Sequence, residues 1–534
     1  MKKIDKRKIF LVIIIILILI VIALFIGKFT FSYLAPDISE DINSKGEVTA
    51  SGDTIIFNNG KALTLSATTD NFTTGGTNLT STTNPTAKLV ASSKTNKADA
   101  TYYVGVYIKN NTYTYSTTAK TPEVLLTIKD EKGSNVTSVD GLTYTTSGGV
   151  SGFDVTDKTG LFNIKTDYPI ATTSSTTGTT HTWTFTLTFV NLSTDQSINE
   201  NANMNIDVYL QKKAFPSTVA DVCSGGETLA SCVTTLSQKS ISQATNIYHH
   251  DSTLANGAGD NSYRYSGVNP NNYVCFGSNV TPCPADNLYR IIGVFDNKVG
   301  ENQTEQRVKL IKSTSVGNKA WDSNSSNTWS TSSLNTYLNN DFLNVFDETT
   351  KGKIAETTWK VGGNTADNIV NQPAKTAYQN EVVQPNPGTT SNGETEANKK
   401  IGLMYASDYG FAAAPSAWTT NLYYYDGEAI KSANWMYLGA TEWTISRNAD
   451  YDNGVLYVYD SGSSNDTLAS LALAVRPVYY LSSSVNYASG SGSATDPISI
   501  NWLTDNFEKT SVKSNKKEIK SSTSVERFTS FFEL

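Results

Sequence analysis

Apolar and polar residues alternate with a period of two between residues 45 and 213. In HTWTFTLTFVNL, threonines alternate with the apolar residues Trp183, Phe185, Leu187 and Phe189. TYYVGVYIKN and MNIDVYL show the same pattern, which is typical of antiparallel strands that bury one face. About seven or eight such runs are separated by Gly, Asn, Asp and Ser clusters. They predict an antiparallel β-sandwich over residues 45–213, which we interpret as a spacer.

Strand-like and helix-like periods mix after residue 247. NLYRIIGVF and RVKLIKS predict neighbouring strands, whereas STSSLNTYLNNDFLNVF predicts an amphipathic helix capped by Ser332 or Ser333. A second helix is predicted to begin at Asp347, and KIGLMYAS, EWTISR, GVLYVYD and LAVRPVYYL predict four more strands. Together they predict an α+β domain over residues 247–500. A polar insertion at 362–400 interrupts it, and a loop of that length is usually functional or disordered.

The beginning of the chain predicts a membrane anchor. Residues 9–27 form an unbroken apolar run, long enough to cross a bilayer as a helix. Residues 1–8 carry five basic side chains and one acidic one, so the positive-inside rule places this head in the cytoplasm and the rest of the chain outside. A cleaved signal peptide is the alternative, although the run is longer than such peptides usually have. The chain is therefore predicted to be a single-pass protein of the cell membrane, with its N-terminus in the cytoplasm and the bulk of the chain outside the cell.

Two further segments show no clear period. Residues 214–246 contain a Pro, a Gly pair and two cysteines, and predict a linker followed by a short helix. Residues 501–534 are rich in Ser and Lys and predict a disordered tail.

Charge and composition exclude one class of partner. The chain has a net charge of −7, and removing residues 1–8, which carry +4, leaves −11 on the exported part. Nucleic-acid binding through phosphate neutralisation is therefore not expected. The exported part is poor in charge and rich in Thr, Ser, Asn and Tyr, which favours an extracellular β protein.

Four cysteines form two local pairs, Cys223 with Cys232 and Cys275 with Cys283. Each pair would close a short loop, and an exported location permits oxidation, so two local disulfides are predicted. A zinc site completed by His249 and His250 is the alternative. The spacing within each pair is wider than in zinc knuckles, and no metal is predicted.

Several phrases of the second domain resemble a known family. GDNSYRYSG, CPADNLYRIIGVF, KIGLMYASDYGFA, NWMYLGATEWTISR and AVRPVYYLSSSVNYASGSGSATDP are similar to segments of exported, surface-anchored proteins of low-GC Gram-positive gut bacteria. The resemblance implies a C-terminal domain of unknown function with a divergent C-type-lectin fold, like that of formylglycine-generating enzymes. The predicted fold class is thus mostly β, with a transmembrane helix, an antiparallel β-sandwich and a C-type-lectin-like α+β domain.

The resemblance also implies a role for the arginine inside the apolar run LALAVRPVYYL. A buried charge is costly unless it is paired, and Pro477 removes a donor from the strand. In such folds this arginine fixes a closing strand to a carboxylate or to loop carbonyls, so Arg476 is expected to be structural. Asp408 and Glu442 are its candidate partners.

The sequence predicts no catalytic residue and no cofactor. GxSxG, HExxH and P-loop motifs are absent, and HHD at 249–251 lies among loop residues. The late cysteine pair of formylglycine-generating oxidases is also missing, so that activity is not implied. QPN at 384–386 matches the calcium motif of C-type lectins only in part. An enzyme is not predicted.

A cluster of aromatic and polar residues at 421–460 predicts a binding surface instead. Rings give a large contact area at low entropic cost, and neighbouring amides and hydroxyls orient a ligand. The turn between WTIS and LYVY is expected to be its exposed part. The candidate ligand-binding residues are Trp435, Tyr437, Arg447, Asn448, Asp450, Tyr451 and Asn453.

These features favour a surface-anchored, adhesin-like binding protein with an extracellular glycan or protein ligand, held to the membrane through residues 9–27. Two alternatives stay open. One is an enzyme acting on cell-wall or glycan material, for which His250 and Asp251 are the residues to test. The other is a structural protein of a biofilm matrix.

Overall fold

The computed structural model describes residues 46–50, 53–68, 72, 76–91, 98–172, 178–300, 303–365, 371–388 and 393–501. The predicted head, the apolar run at 9–27 and residues 502–534 of the predicted tail lie outside these ranges. Within the described ranges, no helix is both long and apolar enough to cross a membrane.

Residues 46–211 form an all-β domain. Its strands are β1 (Gly46–Ala50), β2 (Asp53–Asn58), β3 (Leu63–Ser66), β4 (Leu79–Thr83), β5 (Thr86–Val90), β6 (Ala98–Asn111), β7 (Val124–Lys129), β8 (Thr143–Ser147), β9 (Val150–Asp154), β10 (Gly160–Thr172), β11 (Thr179–Thr182), β12 (Thr184–Phe189) and β13 (Asn203–Gln211). They form three sheets, with strand orders β1-β2-β5-β11, β10-β6-β13-β3 and β4-β12-β7-β9-β8. The described pairings in these sheets are antiparallel, which is consistent with the predicted β-sandwich.

The period-two alternation determines which residues this domain buries. Trp183, Phe185, Leu187 and Phe189 are fully buried, as are the alternating apolar residues of β6. One hydrophobic core contains residues from all three sheets. Tyr209 stands at a polar position of the alternation in MNIDVYL, yet it is buried against Phe215.

The second domain mixes short strands and short helices. Its strands are β14 (Ile247–His249), β15 (Tyr263–Tyr265), β16 (Tyr273–Cys275), β17 (Leu288–Gly300), β18 (Gln303–Lys312), β19 (Asn318–Ala320), β20 (Thr357–Lys360), β21 (Gly363–Asn364), β22 (Glu396–Lys399), β23 (Ile401–Gly402), β24 (Glu442–Asn448), β25 (Gly454–Val458), β26 (Ser464–Leu468), β27 (Ala472–Ala474), β28 (Val478–Tyr480), β29 (Tyr487–Ser489) and β30 (Ile498–Ile500). Its helices are α1 (Leu229–Lys239), α2 (Ser242–Thr245), α3 (Ser333–Tyr337), α4 (Glu348–Gly352), α5 (Ala374–Tyr378), α6 (Ala406–Ala412) and α7 (Glu428–Lys431).

Two sheets organise this domain. The larger has the order β23-β28-β18-β17-β16-β30-β29, with β15 attached to β17 and β14 attached to β15. The smaller has the order β19-β27-β24-β25-β26, with β21 beside β24. β20 and β22 form a separate pair. Three pairings are parallel, namely β16 with β30, β21 with β24 and β24 with β27. This domain is therefore mixed in strand direction.

The predicted helix starts are confirmed by their caps. The Ser332 hydroxyl accepts a hydrogen bond from the Asn335 N–H at the start of α3, and the Asp347 carboxylate accepts one from the Thr350 N–H at the start of α4. The segment 214–246, predicted as a linker followed by a short helix, contains the helix α1, but Val219 and Leu236 lie in the core of the second domain. That core therefore begins about thirty residues before the predicted boundary at 247.

The run LALAVRPVYYL, predicted as one strand, divides at Arg476 and Pro477. β27 before this point belongs to the smaller sheet, and β28 after it belongs to the larger one. Because proline has no N–H, Pro477 suits a point where the chain leaves one hydrogen-bond ladder and joins another. A single segment thus connects the two sheets.

The predicted fold class needs correction. The described residues form a mostly β structure of several sheets without the membrane-spanning helix that the prediction included. The first domain is consistent with a β-sandwich, and the second is an α+β domain with two mixed sheets.

Candidate functional site

A cavity of about 410 Å³ opens in the second domain. The hairpin of β17 and β18, the pair β20–β22, α6, β28 and the insertion at 362–400 all contribute to its walls. Its volume lies within the range of about 300–1,000 Å³ typical of small-molecule sites. Five of the sixteen lining residues are aromatic, namely Phe295, Trp359, Tyr378, Tyr405 and Tyr480.

Lys309 lies among these rings. It is fully buried on β18, and its Nζ is 4.3 Å from the ring centre of Tyr405 and 5.5 Å from those of Phe295, Trp359 and Tyr480. Its place in the ladder explains this environment, because β18 has a partner on both sides and Tyr480 of β28 is the residue directly opposite. Cation–π attraction offsets part of the cost of burying the ammonium group.

The remaining cost is offset by Asp408. The Lys309 Nζ donates to Asp408 Oδ2 at 2.5 Å, and the Tyr405 N–H donates to the same oxygen at 3.0 Å. Asp408 is held at the first turn of α6, where a carboxylate interacts favourably with the helix dipole. Burial lowers the pKa of Lys309, while the Asp408 carboxylate acts in the opposite direction.

Asp408 begins a chain of alternating charges that reaches the cavity wall again at Asp260. Arg264 donates through Nη1 to Asp408 Oδ1 at 3.3 Å and through Nη2 to Asp260 Oδ2 at 2.7 Å. The Tyr378 hydroxyl donates to the same Asp260 oxygen at 2.6 Å. Burial of Asp260 opposes ionisation, but Arg264 and these hydrogen bonds hold its pKa well below the usual range. Asp260, Arg264, Asp408 and Lys309 are therefore linked by ion pairs.

The polar insertion is anchored beside this site by a buried carboxyl group. Glu381 Oε1 accepts from the Ser446 hydroxyl at 2.6 Å and from Asn364 Nδ2 at 3.1 Å, while Oε2 accepts from the Ser407 N–H at 3.2 Å. Burial raises the pKa of Glu381. The described part of the insertion is thus ordered by specific contacts, and it supplies Tyr378 and Val382 to the cavity.

The charges around the cavity balance. The acidic lining residues are Asp260, Asp296, Glu396 and Asp408, and the basic ones are Lys298, Lys309 and Lys360. Arg264 pairs with two of the acids and completes the balance. Lys360 and Glu396 also form an ion pair with each other at the rim. An aromatic cavity without net charge suits a neutral polar ligand better than a strongly charged one.

The turn predicted to bind a ligand is less exposed than expected. Arg447 and Asn448 are buried, Asp450 and Asn453 are half-buried, and Tyr451 is exposed. The prediction that the first two are exposed is wrong, because β24 is covered on both faces.

Two buried amides hold this turn in place. The Asn448 side chain accepts from the Asp450 N–H at 2.7 Å and donates to Asp466 at 2.6 Å. Asn327 Nδ2 donates to the carbonyls of Asn448, Tyr451 and Gly454. Arg447 donates to the Pro387 carbonyl at 2.5 Å, so it connects β24 to the insertion. These contacts give the buried members of the turn structural roles.

Trp435 and Tyr437 also contact other parts of the domain. Trp435 is buried, its Nε1 donates to the Tyr265 carbonyl at 2.7 Å, and its ring lies 4.5 Å from the Arg290 guanidinium. The half-buried Tyr437 donates through its hydroxyl to the Asp460 carbonyl at 2.5 Å. Neither residue lines the cavity.

Arg476 has Glu442 as its carboxylate partner. Its Nε donates to Glu442 Oε2 at 2.7 Å, and its Nη2 donates to Oε1 at 2.6 Å and to the Met436 carbonyl at 2.7 Å. Asp408, the other candidate, binds Lys309 and Arg264 instead. The bidentate pair fixes the junction of β27 and β28 to the start of β24.

The cysteines form disulfides, and the residues His250 and Asp251 have structural contacts. The structure contains the disulfides Cys223–Cys232 and Cys275–Cys283. In the described part of the chain, no group of three or more His, Cys, Asp or Glu side chains is arranged to hold a metal ion. His250 is fully buried against Phe411 and Trp418, and Asp251 caps a turn by accepting from Thr253.

Comparison with known families gives one match. Residues 305–483 match the model of a family described as a domain of unknown function, DUF6273. The second domain contains a DUF6273 domain. This DUF6273 segment includes Lys309, Trp359, Tyr405, Asp408 and Tyr480, whereas Asp260, Arg264 and Phe295 precede it.

No curated protein and no solved structure matches the chain. The DUF6273 match supports the expected domain of unknown function, whereas the expected likeness to C-type lectins and to proteins of gut bacteria gains no support.

Sequence reasoning missed most of the residues that form the cavity. A signal was present in RVKLIKS, where Lys309 stands between Val308 and Leu310 in a run that predicts a buried strand. Arg264 in SYRYSG gives a similar signal. A cation inside a buried strand requires an acidic partner, so each of these residues pointed to a buried ion pair.

Proposed function

We propose that this chain is an exported binding protein that takes a neutral, polar extracellular ligand, a glycan, in the cavity of its second domain. The observation that carries the proposal is the aromatic lining around charges that balance. Aromatic rings pack against the apolar C–H faces of sugars, while hydroxyl and charged groups at the rim meet sugar hydroxyls.

The two disulfides support an extracytoplasmic location. Structural disulfides persist in oxidising compartments and are rare in the cytosol. All four cysteines of the chain are used in them.

A pair of variants tests the cavity as the binding site. Val382 is half-buried and lines the cavity, whereas its neighbour Val383 is 49% exposed and does not. Val382→Trp should fill the cavity with a larger side chain at the edge of the core, and Val383→Trp adds the same ring outside the cavity. A glycan array probed with the wild-type chain should give saturable binding. V382W should bind the same glycan with at least tenfold lower affinity, whereas V383W should keep the wild-type affinity.

Two results would contradict the proposal. One is a well-folded wild-type chain that binds no glycan on the array. The other is binding that both tryptophan variants retain equally, which would place the glycan elsewhere on the chain.

A further inference from the structure

A second depression adjoins the aromatic cavity. It has a volume of about 440 Å³ and shares Lys298, Thr357 and Thr358 with the cavity, so the two form one continuous depression along β20. Arg307, Glu356 and Asn398 line only this second part, which we call the outer groove.

The two parts differ in chemistry. The aromatic cavity has five rings in its lining, whereas the outer groove is lined by hydroxyl, amide, guanidinium and charged groups and contains no ring. Lys298, Glu356, Thr358 and Asn398 are exposed there.

The polar groups of the outer groove are held in fixed positions. Arg307 Nη2 donates to Glu305 Oε2 at 3.0 Å, and its Nη1 donates to the Glu356 carbonyl at 3.1 Å. The Thr358 hydroxyl donates to Asn398 Oδ1 at 2.5 Å across the β20–β22 pair. Preorganised donors and acceptors reduce the side-chain entropy that the protein loses when a ligand binds.

We propose that the ligand is a linear oligosaccharide whose terminal sugar occupies the aromatic cavity and whose next sugars lie in the outer groove. This inference rests on the proposed function and specifies its ligand class. A chain of sugars offers apolar ring faces at its end and hydroxyl groups along its length. The depression presents a matching sequence of properties, with aromatic rings inside and hydrogen-bonding groups, some of them charged, outside.

Binding as a function of chain length tests this inference. Titration calorimetry would use chito-, cello-, malto- and manno-oligosaccharides of one to six units. For the series that binds, affinity should rise at least tenfold from the monosaccharide to the tetrasaccharide and then level off when the outer groove is filled.

A variant in the outer groove separates the two parts. Asn398→Trp should occlude the groove and abolish the gain with length, while leaving monosaccharide affinity within about twofold, because Asn398 does not line the aromatic cavity. Asn324→Trp is the matched control, since Asn324 is exposed on a turn and lines neither part. It should keep both the monosaccharide affinity and the gain with length.

The outcomes distinguish this inference from the proposed function. Equal affinity for one and four units would overturn the linear-chain inference while the cavity keeps its role as a glycan site. A length-dependent gain that N398W leaves intact would also overturn it. If no oligosaccharide binds, or if an extended peptide binds the depression instead, both the linear-chain inference and the proposed glycan-binding function would be overturned.

Discussion

The pair of Arg476 and Glu442 leads to a quantitative prediction about stability. Arg476→Leu removes three hydrogen bonds, two of them to a carboxylate that is only 1% exposed. Glu442 would then be a buried charge without its cationic partner. Loss of one partner from a buried ion pair costs about 3–5 kcal/mol in free energy of unfolding.

The double variant isolates the interaction. In Arg476→Leu with Glu442→Leu, no charge is left behind and two apolar side chains occupy the site, so much of the loss should be recovered. We expect the double variant to be more stable than R476L by about 1–3 kcal/mol. A purely additive result, with the double variant losing the sum of both single losses, would refute the argument.

The cost of R476L should also depend on pH. Burial already raises the pKa of Glu442 in the wild-type protein, and loss of Arg476 removes the group that opposes this shift. In the variant the folded state then binds a proton more readily than the unfolded state. Its stability should fall as pH rises from about 4.5 through the folded-state pKa, so the deficit relative to wild type should be largest at neutral pH.

Urea unfolding followed by tryptophan fluorescence measures these differences. Every tryptophan except Trp183 follows residue 300, so the signal comes mainly from the second domain. A loss below about 1 kcal/mol for R476L at pH 7 would mean that Glu442 becomes hydrated or neutral at little cost, contrary to the reasoning above.

Two further predictions concern stability. Replacing Cys275 and Cys283 together by serine should lower the unfolding free energy of the second domain by about 2–3 kcal/mol in urea titrations, since their disulfide closes a short loop; an unchanged urea midpoint would contradict this. Burial holds the pKa of His250 well below 6.5, so wild-type stability should fall as pH drops below that value, where only the unfolded chain binds the proton. His250→Phe should reduce this loss between pH 7.5 and 5.5, and an equal slope in both proteins would refute it.

The strands and caps of this chain could be read from local sequence because they depend on local rules. Alternation in β12 identifies its buried face whatever its neighbours are, and Ser332 and Asp347 cap helices through bonds to residues three positions away. The cost of an unpaired buried charge predicts a carboxylate partner for Arg476, but it does not choose between Asp408 and Glu442.

The cavity depended on information that alternation does not contain. Its lining extends from Asp260 to Tyr480, and only the order of strands in the larger sheet brings β28 beside β18. The same limitation explains the error at Arg447 and Asn448. Their polar character suggested exposure, but β24 is covered on both faces, and their polar groups bond to the insertion and to Asp466.

The charge balance around the aromatic cavity has a consequence for the kinetics of ligand capture. A site without net charge exerts little long-range attraction, so a ligand must find it by unassisted diffusion. Association without electrostatic steering is slower, at about 10⁵–10⁶ M⁻¹ s⁻¹ for protein partners, and changes little with ionic strength. Under the proposed function, the rate of glycan capture should therefore change little between dilute and salty surroundings.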